Sequence, residues 1–345
     1  MKALEIYQVK IKPLEPLMLR GPGEFDPSTR GVTAAALSQT WPSPSTLTGL
    51  LISNLITSPQ PRSRTWSEYL NTALKALQAA GLEWVRGPYL IHEGSVHVPL
   101  WTREGILLAS WSSIERRLDE VVERLNSGDV DEVLEKIEKD TGRRATPRLH
   151  ERVGIALAAR EGSKKVKEGY LYSATYVAFR HACFTIEVKA TSSITTLNKA
   201  AAQLGGEERI ARLEVLSTSE VGEHFLCKKL ARFGGGCVLL LSPFVLPPDV
   251  TEIVEEGGKI YVKDEEGNHA IELLHGVVDV RGLGFSLADR SRKPIYPLIR
   301  EGSIIRIERC YASAQTLGAF AGLPKQTPFL EYLGRFGFGS FLPLT

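Results

Sequence analysis

Apolar and polar side chains alternate, with one slip, over residues Leu4–Lys12. A period of two places every second side chain on the same face of an extended backbone, so this segment predicts a strand with one buried face. Further along, leucines recur at helical spacing over residues 47–55, directly after Ser43 and Pro44. Serine caps a helix through its hydroxyl, and proline fixes the backbone of the first turn. These residues predict an amphipathic helix that begins at Pro44.

The same two periods predict the remaining elements. Helices are expected over Thr65–Ala80, Ser113–Asn126, Val130–Lys139 and Ser219–Phe233. Strands are expected over Val96–Leu100, Ile106–Leu108, Leu171–Lys189, Ile210–Leu216, Cys237–Leu246 and Ser303–Arg309, with a hairpin over Ile253–Glu272. The order strand, helix, strands, helix, strand occurs loosely twice, which is typical of ferredoxin-like (RRM-like, βαββαβ) units. The predicted fold class is α+β, with two ferredoxin-like domains over residues 1–170 and 171–345 and long loop insertions.

Charge is distributed unevenly along a chain whose net charge is only +2. Residues 115–140 contain ten acidic and five basic side chains, a net charge of −5. Residues 143–167 contain eight basic and two acidic side chains, a net of +6, and residues 281–309 contain seven and three, a net of +4. A nearly neutral protein of this kind can present one surface to a polyanion and another to a basic partner.

Motifs for catalysis or metal binding do not occur in the sequence. The four cysteines form no CxxC pair, the seven histidines form neither HxH nor HExxH, and there is no GxSxG or GxxxxGK[ST] segment. His92 and His97 are five residues apart and are expected on opposite faces of a strand. No apolar run is long enough to span a bilayer. We therefore expect a cytoplasmic protein that is not an enzyme, has no cofactor and does not contact a membrane.

Glycines and an arginine are concentrated in residues 333–341, LGRFGFGSF. Glycine adopts positive φ and lets backbone N–H groups approach a ligand closely. Nucleotide-binding glycine motifs are followed by a helix, whereas only four residues follow here. The segment is therefore expected to be a loop that closes the fold, contacts a phosphate backbone and exposes its aromatic rings.

Two other segments have the composition of RNA-binding surfaces. Residues 20–31 combine arginine, glycine and one phenylalanine, and the basic residues 143–167, with Pro147 and Gly154 among them, are expected to form a long loop or arm. Guanidinium groups, backbone amides and exposed rings are common contacts to phosphates and unstacked bases. The residues predicted to contact RNA are Arg20, Gly21, Phe25, Arg30, Arg143, Arg144, Arg148, Arg152, Lys164, Lys165, Arg335, Gly337, Phe338 and Gly339.

Three further motifs precede the glycine-rich end: PSPSTLTGLL at residues 42–51, RVGIAL with EGYLY within residues 152–172, and LGGE at residues 204–207. In this order they resemble the RAMP proteins of CRISPR effector complexes, and most closely the third subunit of the type III-B (Cmr) complex. The resemblance runs from about residue 17 to 341. The first two motifs carry most of its specificity, because the glycine-rich loop is common to RAMP proteins generally.

The resemblance implies a non-catalytic subunit that holds the 5′ tag of the crRNA, with Ser45 and Thr46 of the first motif among its RNA contacts. It implies as partners the large Cas10-type subunit and the backbone RAMP subunit of the Cmr complex, and target RNA only indirectly. The acidic residues 115–140 would then serve protein contacts, and the basic segments would serve RNA.

Other functions stay open at this point. A crRNA-processing endoribonuclease on the same fold would use His150, which lies among several arginines, as its general base. The equivalent subunit of a type III-A complex shares the S-T-x-x-G helix and the glycine-rich loop. A stand-alone RNA-binding protein would bind RNA tightly without partners.

Overall fold

The computed structural model describes residues 5–19, 35–36, 38–57, 62–142, 147–160, 163–206, 208–230, 233, 235–246, 252–263, 267–286, 291–307 and 327–344. Its strands are β1 Glu5–Pro13, β2 Ala35–Ala36, β3 Leu82–His92, β4 Ser95–Thr102, β5 Gly105–Ser110, β6 Arg148–Arg160, β7 Ser163–Ala178, β8 Ala182–Ala190, β9 Lys199–Gln203, β10 Ile210–Ser217, β11 Gly236–Leu240, β12 Phe244–Val245, β13 Glu252–Glu256, β14 Lys259–Lys263, β15 His269–His275, β16 Val278–Gly282, β17 Phe285–Ser286, β18 Ser291–Arg292, β19 Ile295–Ile299, β20 Ile304–Ile307 and β21 Phe341–Pro343. Its α-helices are α1 Pro44–Leu55, α2 Trp66–Ala79, α3 Trp111–Glu115, α4 Leu118–Ser127, α5 Asp131–Thr141, α6 Thr218–Val221, α7 Phe225–Leu230 and α8 Pro328–Phe336. Antiparallel sheets with helices confirm the mixed α and β character expected from the sequence.

The largest sheet has seven strands in the order β5-β4-β3-β8-β1-β10-β9. Strand β1 pairs with β8 on one side and β10 on the other, so that Val9 lies opposite both Ile186 and Val215. These three side chains are at most 4% exposed. The alternation in the first residues of the chain therefore does mark a strand with a buried face, as predicted.

Helices α1 and α2 begin where the sequence predicts. The Ser43 hydroxyl accepts the Thr46 N–H at 3.3 Å with Pro44 in the first turn, and the Thr65 hydroxyl accepts the Glu68 N–H at 3.2 Å. Caps of this kind satisfy backbone donors that have no partner inside the helix. Among the helices that the structure describes, none has the length and apolar character needed to cross a bilayer.

Described residues after 235 form three separate sheets: one of six strands in the order β13-β14-β15-β20-β11-β21, one of three in the order β12-β19-β16, and one of two, β17-β18. The predicted strand Cys237–Leu246 is divided into β11 and β12, because the chain turns at Ser242. The Ser242 hydroxyl donates to the Gly337 carbonyl at 2.7 Å and accepts the Ser340 N–H at 2.9 Å. This pair of bonds fixes the end of the chain against the turn.

The boundary predicted at residue 170 falls inside β7, and the seven-stranded sheet contains strands from both sides of it. The division of the chain into domains over residues 1–170 and 171–345 stays a prediction. The assignment of the two parts as ferredoxin-like domains stays a prediction.

The loop or arm predicted for residues 143–167 is also corrected, as far as these residues are described. Strands β6 and β7 form a long antiparallel hairpin, in which Gly154 lies opposite Tyr172 and Ala159 lies opposite Lys164. Strand β2 joins β7 in parallel as a third strand. Pro147 precedes the first residue of β6, a position at which its missing N–H removes no bond from the ladder.

Two predicted helices are shorter than expected. The segment Ser219–Phe233 contains α6 and α7, separated at Gly222, whose φ is +78°. The buried Glu187 carboxylate accepts the N–H groups of Leu226 at 2.6 Å and Cys227 at 3.0 Å, and so fixes a new helix start against the large sheet. The segment Ser113–Asn126 is likewise divided between α3 and α4.

Candidate nucleic-acid interface

A cleft of about 840 Å³ lies between the start of α1, helix α2 and the end of β16. Three of the sequence motifs meet in this cleft. The first motif contributes Ser43, Ser45 and Thr46, the LGGE turn contributes Gly205 and Gly206, and the glycine-rich end contributes Phe336 and Phe338. Segments far apart in the chain thus form one concave surface.

Helix α1 directs its N-terminus and two hydroxyl groups at the cleft. The Ser43 hydroxyl lies 3.1 Å from that of Ser45 and 3.0 Å from that of Thr46, and the Ser45 hydroxyl donates to the Leu283 carbonyl at 3.4 Å. No acidic residue occupies the first turn of α1. The partial positive charge of the helix N-terminus is therefore not neutralised by the helix itself, an arrangement that favours an anion.

Lys293 places a buried ammonium group in the wall of the same cleft. The residue is 8% exposed, and its Nζ donates to the Tyr332 hydroxyl at 3.2 Å and lies 5.0 Å from the centre of the Tyr69 ring. Burial, with Tyr69 beside it, holds the pKa of the Tyr332 phenol well above its usual value, so this oxygen is a neutral acceptor. No carboxylate of the described residues forms an ion pair with Lys293. A buried ammonium without a counter-charge favours the binding of an anion.

Arg281 lines the cleft from β16 and is held by two carboxylates. Its Nε donates to Asp279 at 2.6 Å, and its Nη1 lies 4.0 Å from Glu301. Neither Lys293 nor Arg281 belongs to a sequence motif, and neither was predicted as an RNA contact. The net charge of +4 over residues 281–309 was the only signal that could have pointed to them.

Of the predicted RNA contacts, the structure brings Ser45, Thr46 and the buried Phe338 to the lining of the cleft. For the glycine-rich end the prediction of an exposed loop is wrong. Residues 328–336 form helix α8, and Gly337 ends it with a φ of +91°. A Cβ on Gly337 would lie 2.9 Å from the Val85 carbonyl oxygen, so this position needs glycine for packing.

The side chains predicted to contact RNA at this end are used inside the protein. Phe338 is 2% exposed, which leaves no ring face for a base. The Arg335 Nε donates to the Glu83 carbonyl at 2.8 Å, and its Nη1 donates to Glu331 at 3.0 Å. The Gly339 N–H donates to the Pro243 carbonyl at 2.8 Å. These bonds tie α8 to both groups of sheets.

The hairpin keeps several predicted contacts together on β6 and β7. Arg148 and Arg152 are exposed on the same face of β6, with His150 between them. In the register of the hairpin, Lys164 and Lys165 lie opposite Ala159 and Ala158. The remaining predicted contacts lie outside the described residues: Arg20, Gly21, Phe25, Arg30, Arg143 and Arg144.

Histidine placement corrects another expectation. His92 and His97 were predicted on opposite faces, but the β3–β4 turn folds the chain back and the two rings pack edge to face with centroids 5.6 Å apart. Burial, together with the nearby His92, lowers the pKa of His97, while its bond to the Ser95 carbonyl opposes this shift. Among the described residues, no three metal-ligating side chains are grouped closely enough to hold an ion.

Comparison with known proteins adds to this geometry. The family described as CRISPR-associated protein (Cas_Cmr3) matches residues 9–103 and 118–317. CRISPR system CMR subunit Cmr3 of Saccharolobus solfataricus is 29% identical over 307 residues, which cover 87% of this chain and 85% of that protein.

Solved structures show a similar fold. A chain of the cryo-EM structure of type III-B Cmr-beta bound to cognate target RNA and AMPPnP superposes with a TM-score of 0.67 at 23% identity, covering 98% of this chain and 96% of that one. A chain of type III-B Cmr-beta bound to cognate target RNA superposes with a TM-score of 0.62 at 26% identity, covering 87% and 86%.

Proposed function

Because the chain belongs to the Cas_Cmr3 family of CRISPR-associated proteins, we propose that it is a non-catalytic subunit of a type III-B CRISPR effector complex that holds the 5′ tag of the crRNA. In this proposal it bridges the large Cas10-type subunit to the backbone RAMP subunit and meets target RNA only indirectly, in the cytoplasm. The Saccharolobus relative is a CMR subunit, and the chains similar in fold come from Cmr-beta bound to target RNA.

The observation that carries the proposal is the buried ammonium group of Lys293, which forms no ion pair with a carboxylate of the described residues. The N-terminus of α1 and the ammonium group of Lys293 line one cavity of about 840 Å³. Phosphate groups suit such a site, because backbone N–H groups, hydroxyls and an ammonium group all donate to phosphate oxygens. The half-buried ring of Tyr69 supplies the kind of wall that an unstacked base prefers.

The hairpin extends the proposed RNA surface beyond the cleft. Arg148 and Arg152 offer guanidinium groups on one exposed face, and Lys164 and Lys165 follow in the register of β7. Exposed arginines bind phosphates with little selectivity, so they would add affinity while the cleft selects the tag. We propose the same phosphate-binding role for Arg20, Arg30, Arg143 and Arg144, with Gly21 and Phe25 beside them.

The test is a comparison of two lysine variants in the effector complex assembled with crRNA. Lys293→Met keeps the aliphatic stem and removes the charge, and Lys228→Met is the matched control, because Lys228 is 61% exposed and paired with Glu223. We expect K293M to weaken binding of tagged crRNA about tenfold and to reduce the salt slope by about one. K228M should leave both unchanged.

Guide RNA that lacks the tag separates tag binding from general affinity. If the cleft holds the tag, K293M and the unaltered protein should bind untagged RNA equally. A loss of the same size on both RNAs would contradict a role in tag recognition, and an unaltered complex that does not distinguish the two RNAs would contradict the proposal as a whole.

A further inference from the structure

Two tyrosine rings surround the buried ammonium group of Lys293. Its Nζ lies 5.0 Å from the centre of the Tyr69 ring on α2 and 5.9 Å from that of the Tyr332 ring on α8. The backbone N–H of Lys293 donates to the Gly284 carbonyl at 2.9 Å, so the start of the side chain is fixed as well. An aromatic ring attracts an ammonium group through its quadrupole. The two rings therefore stabilise the positive charge without neutralising it.

Tyr332 is itself fixed by the rings around it. Its side chain is fully buried, with the Phe336 ring centroid at 4.3 Å on one side and the edge of Trp66 at a centroid distance of 6.0 Å. Trp66 also stacks on Tyr69 at 5.0 Å, which joins the two tyrosines in one cluster. A side chain packed in this way cannot change its rotamer without displacing its neighbours. The phenol oxygen that accepts the Lys293 Nζ at 3.2 Å therefore has a fixed position.

A fixed acceptor matters because lysine is flexible. A free lysine side chain has many rotamers and loses this freedom when its ammonium group binds a ligand. Here the hydrogen bond to Tyr332 and the ring of Tyr69 order the side chain when the protein folds, before any ligand binds. Ordering a binding group in advance increases its affinity, since binding no longer has to supply that entropy.

We propose that Tyr332 is a positioning residue for the anion site: its hydroxyl holds the Lys293 ammonium group at the lining of the cleft, ordered in advance for a phosphate group. Helix α8 then acts on RNA through Lys293, although its own ring is buried. The inference rests on the proposed function in that the phosphate belongs to the crRNA. It adds a role for the C-terminal segment, whose own side chains are used inside the protein.

The first test compares two buried tyrosines. Tyr332→Phe removes the acceptor and keeps the ring. Tyr89→Phe is the matched control, because Tyr89 is fully buried, accepts the Gln8 Nε2 at 2.8 Å and lies outside the lining of the cleft. Each variant loses one hydrogen bond, so both melting temperatures should fall by about 1–2 °C.

Tag binding is then measured in the assembled complex. Y332F should bind tagged crRNA about three- to fivefold more weakly, with an unchanged salt slope because the charge remains. Y89F should bind like the unaltered protein. Unchanged binding in Y332F would overturn the inference, and so would tighter binding, which would mean that the phenol competes with the ligand for the ammonium group.

A double variant separates positioning from a general effect on packing. If Tyr332 acts through Lys293, Y332F combined with Lys293→Met should bind tagged crRNA as K293M alone does. Losses that add in the double variant would overturn the inference, because Tyr332 would then affect binding without Lys293.

Acylation of Lys293 in the isolated full-length chain tests the positioning role without RNA. The hydrogen bond and the rings favour the protonated, ordered amine, so we expect Y332F to react at Lys293 about threefold faster or more by peptide mass spectrometry. The rate at Lys228, which is 61% exposed, should stay the same. Equal rates at Lys293 in Y332F and the unaltered protein would overturn the inference. A complex that does not distinguish tagged from untagged RNA would instead contradict the proposed function and leave the acylation result standing, so the two failures are distinguishable.

Discussion

Phe338 is the position at which burial and RNA stacking predict opposite results. Its side chain is 2% exposed and its ring centroid lies 6.2 Å from that of Tyr332. Burying a phenylalanine removes roughly 150–250 Å² from water, which at about 25 cal/mol per Å² corresponds to roughly 4–6 kcal/mol. Substitutions of core phenylalanine by alanine usually lose about 3–5 kcal/mol. We therefore expect Phe338→Ala to reduce the free energy of unfolding by about 4 kcal/mol.

Thermal unfolding makes this loss measurable. An unfolding entropy of roughly 2.1 cal/mol/K per residue gives roughly 0.7 kcal/mol/K for a chain of 345 residues. A loss of about 4 kcal/mol then lowers the melting temperature by about 5–6 °C, provided that the chain unfolds as one unit. Phe338→Leu preserves most of the apolar volume and should lower the melting temperature by only about 2 °C.

Binding of tagged crRNA provides the opposing measurement. Leucine has no aromatic face, so a stacking role would be lost in Phe338→Leu just as in Phe338→Ala. If Phe338 is a core residue, F338L should bind tagged crRNA with the same affinity as the unaltered protein. An unchanged melting temperature in F338A, together with weaker tag binding in F338L, would refute the assignment of Phe338 to the core and restore the stacking role expected from the sequence.

Three further changes test other parts of the structure. His150→Ala should change the affinity for tagged crRNA by no more than about twofold, since one exposed imidazole adds little to the arginines beside it, and neither protein should cleave repeat RNA. If the unaltered chain cleaves repeat RNA and H150A does not, the endoribonuclease function is favoured. Gly205→Ala should lower the free energy of unfolding by more than the roughly 1–2 kcal/mol that an alanine in the left-handed region costs, because its Cβ would lie 2.6 Å from the Met18 carbonyl oxygen. Gly128→Ala is the matched control in urea unfolding, since Gly128 has a similar φ and a Cβ there would have no atom within 4 Å. The folded state lowers the pKa of His97 below its usual 6.5, so the unfolded chain binds the proton first and stability should fall as the pH drops through 6.5. In His97→Gln the melting temperature should depend less on pH across this range. If the melting temperatures of H97Q and the unaltered protein change with pH in parallel, the lowered pKa of His97 is contradicted.

Prediction from the sequence succeeded where residues a few positions apart decide the structure. The cap at Ser43 and the alternation over residues 4–12 depend on side chains a few positions apart, and both elements form as predicted. Prediction from the sequence failed where a residue far away in the chain sets the boundary of a helix. Helix α6 ends at Gly222, and the Glu187 carboxylate, on the distant strand β8, accepts the first N–H groups of α7 and so fixes where the second helix starts.

The sequence by itself determined the family, because its motifs occur in a characteristic order, and it determined most strands and helices, because their periods are local. Only the tertiary structure decided which motif residues line the cleft. Phe338 and Arg335 lie in a segment that looks like an exposed loop, yet helix α8 buries the ring and directs the guanidinium group to backbone carbonyls. Lys293 stands out little in a basic stretch, yet the fold places its charge in the cleft without a carboxylate partner among the described residues. Burial and charge compensation depend on what packs against a side chain, and some of those neighbours are far away in the chain, as the Glu83 carbonyl is from Arg335.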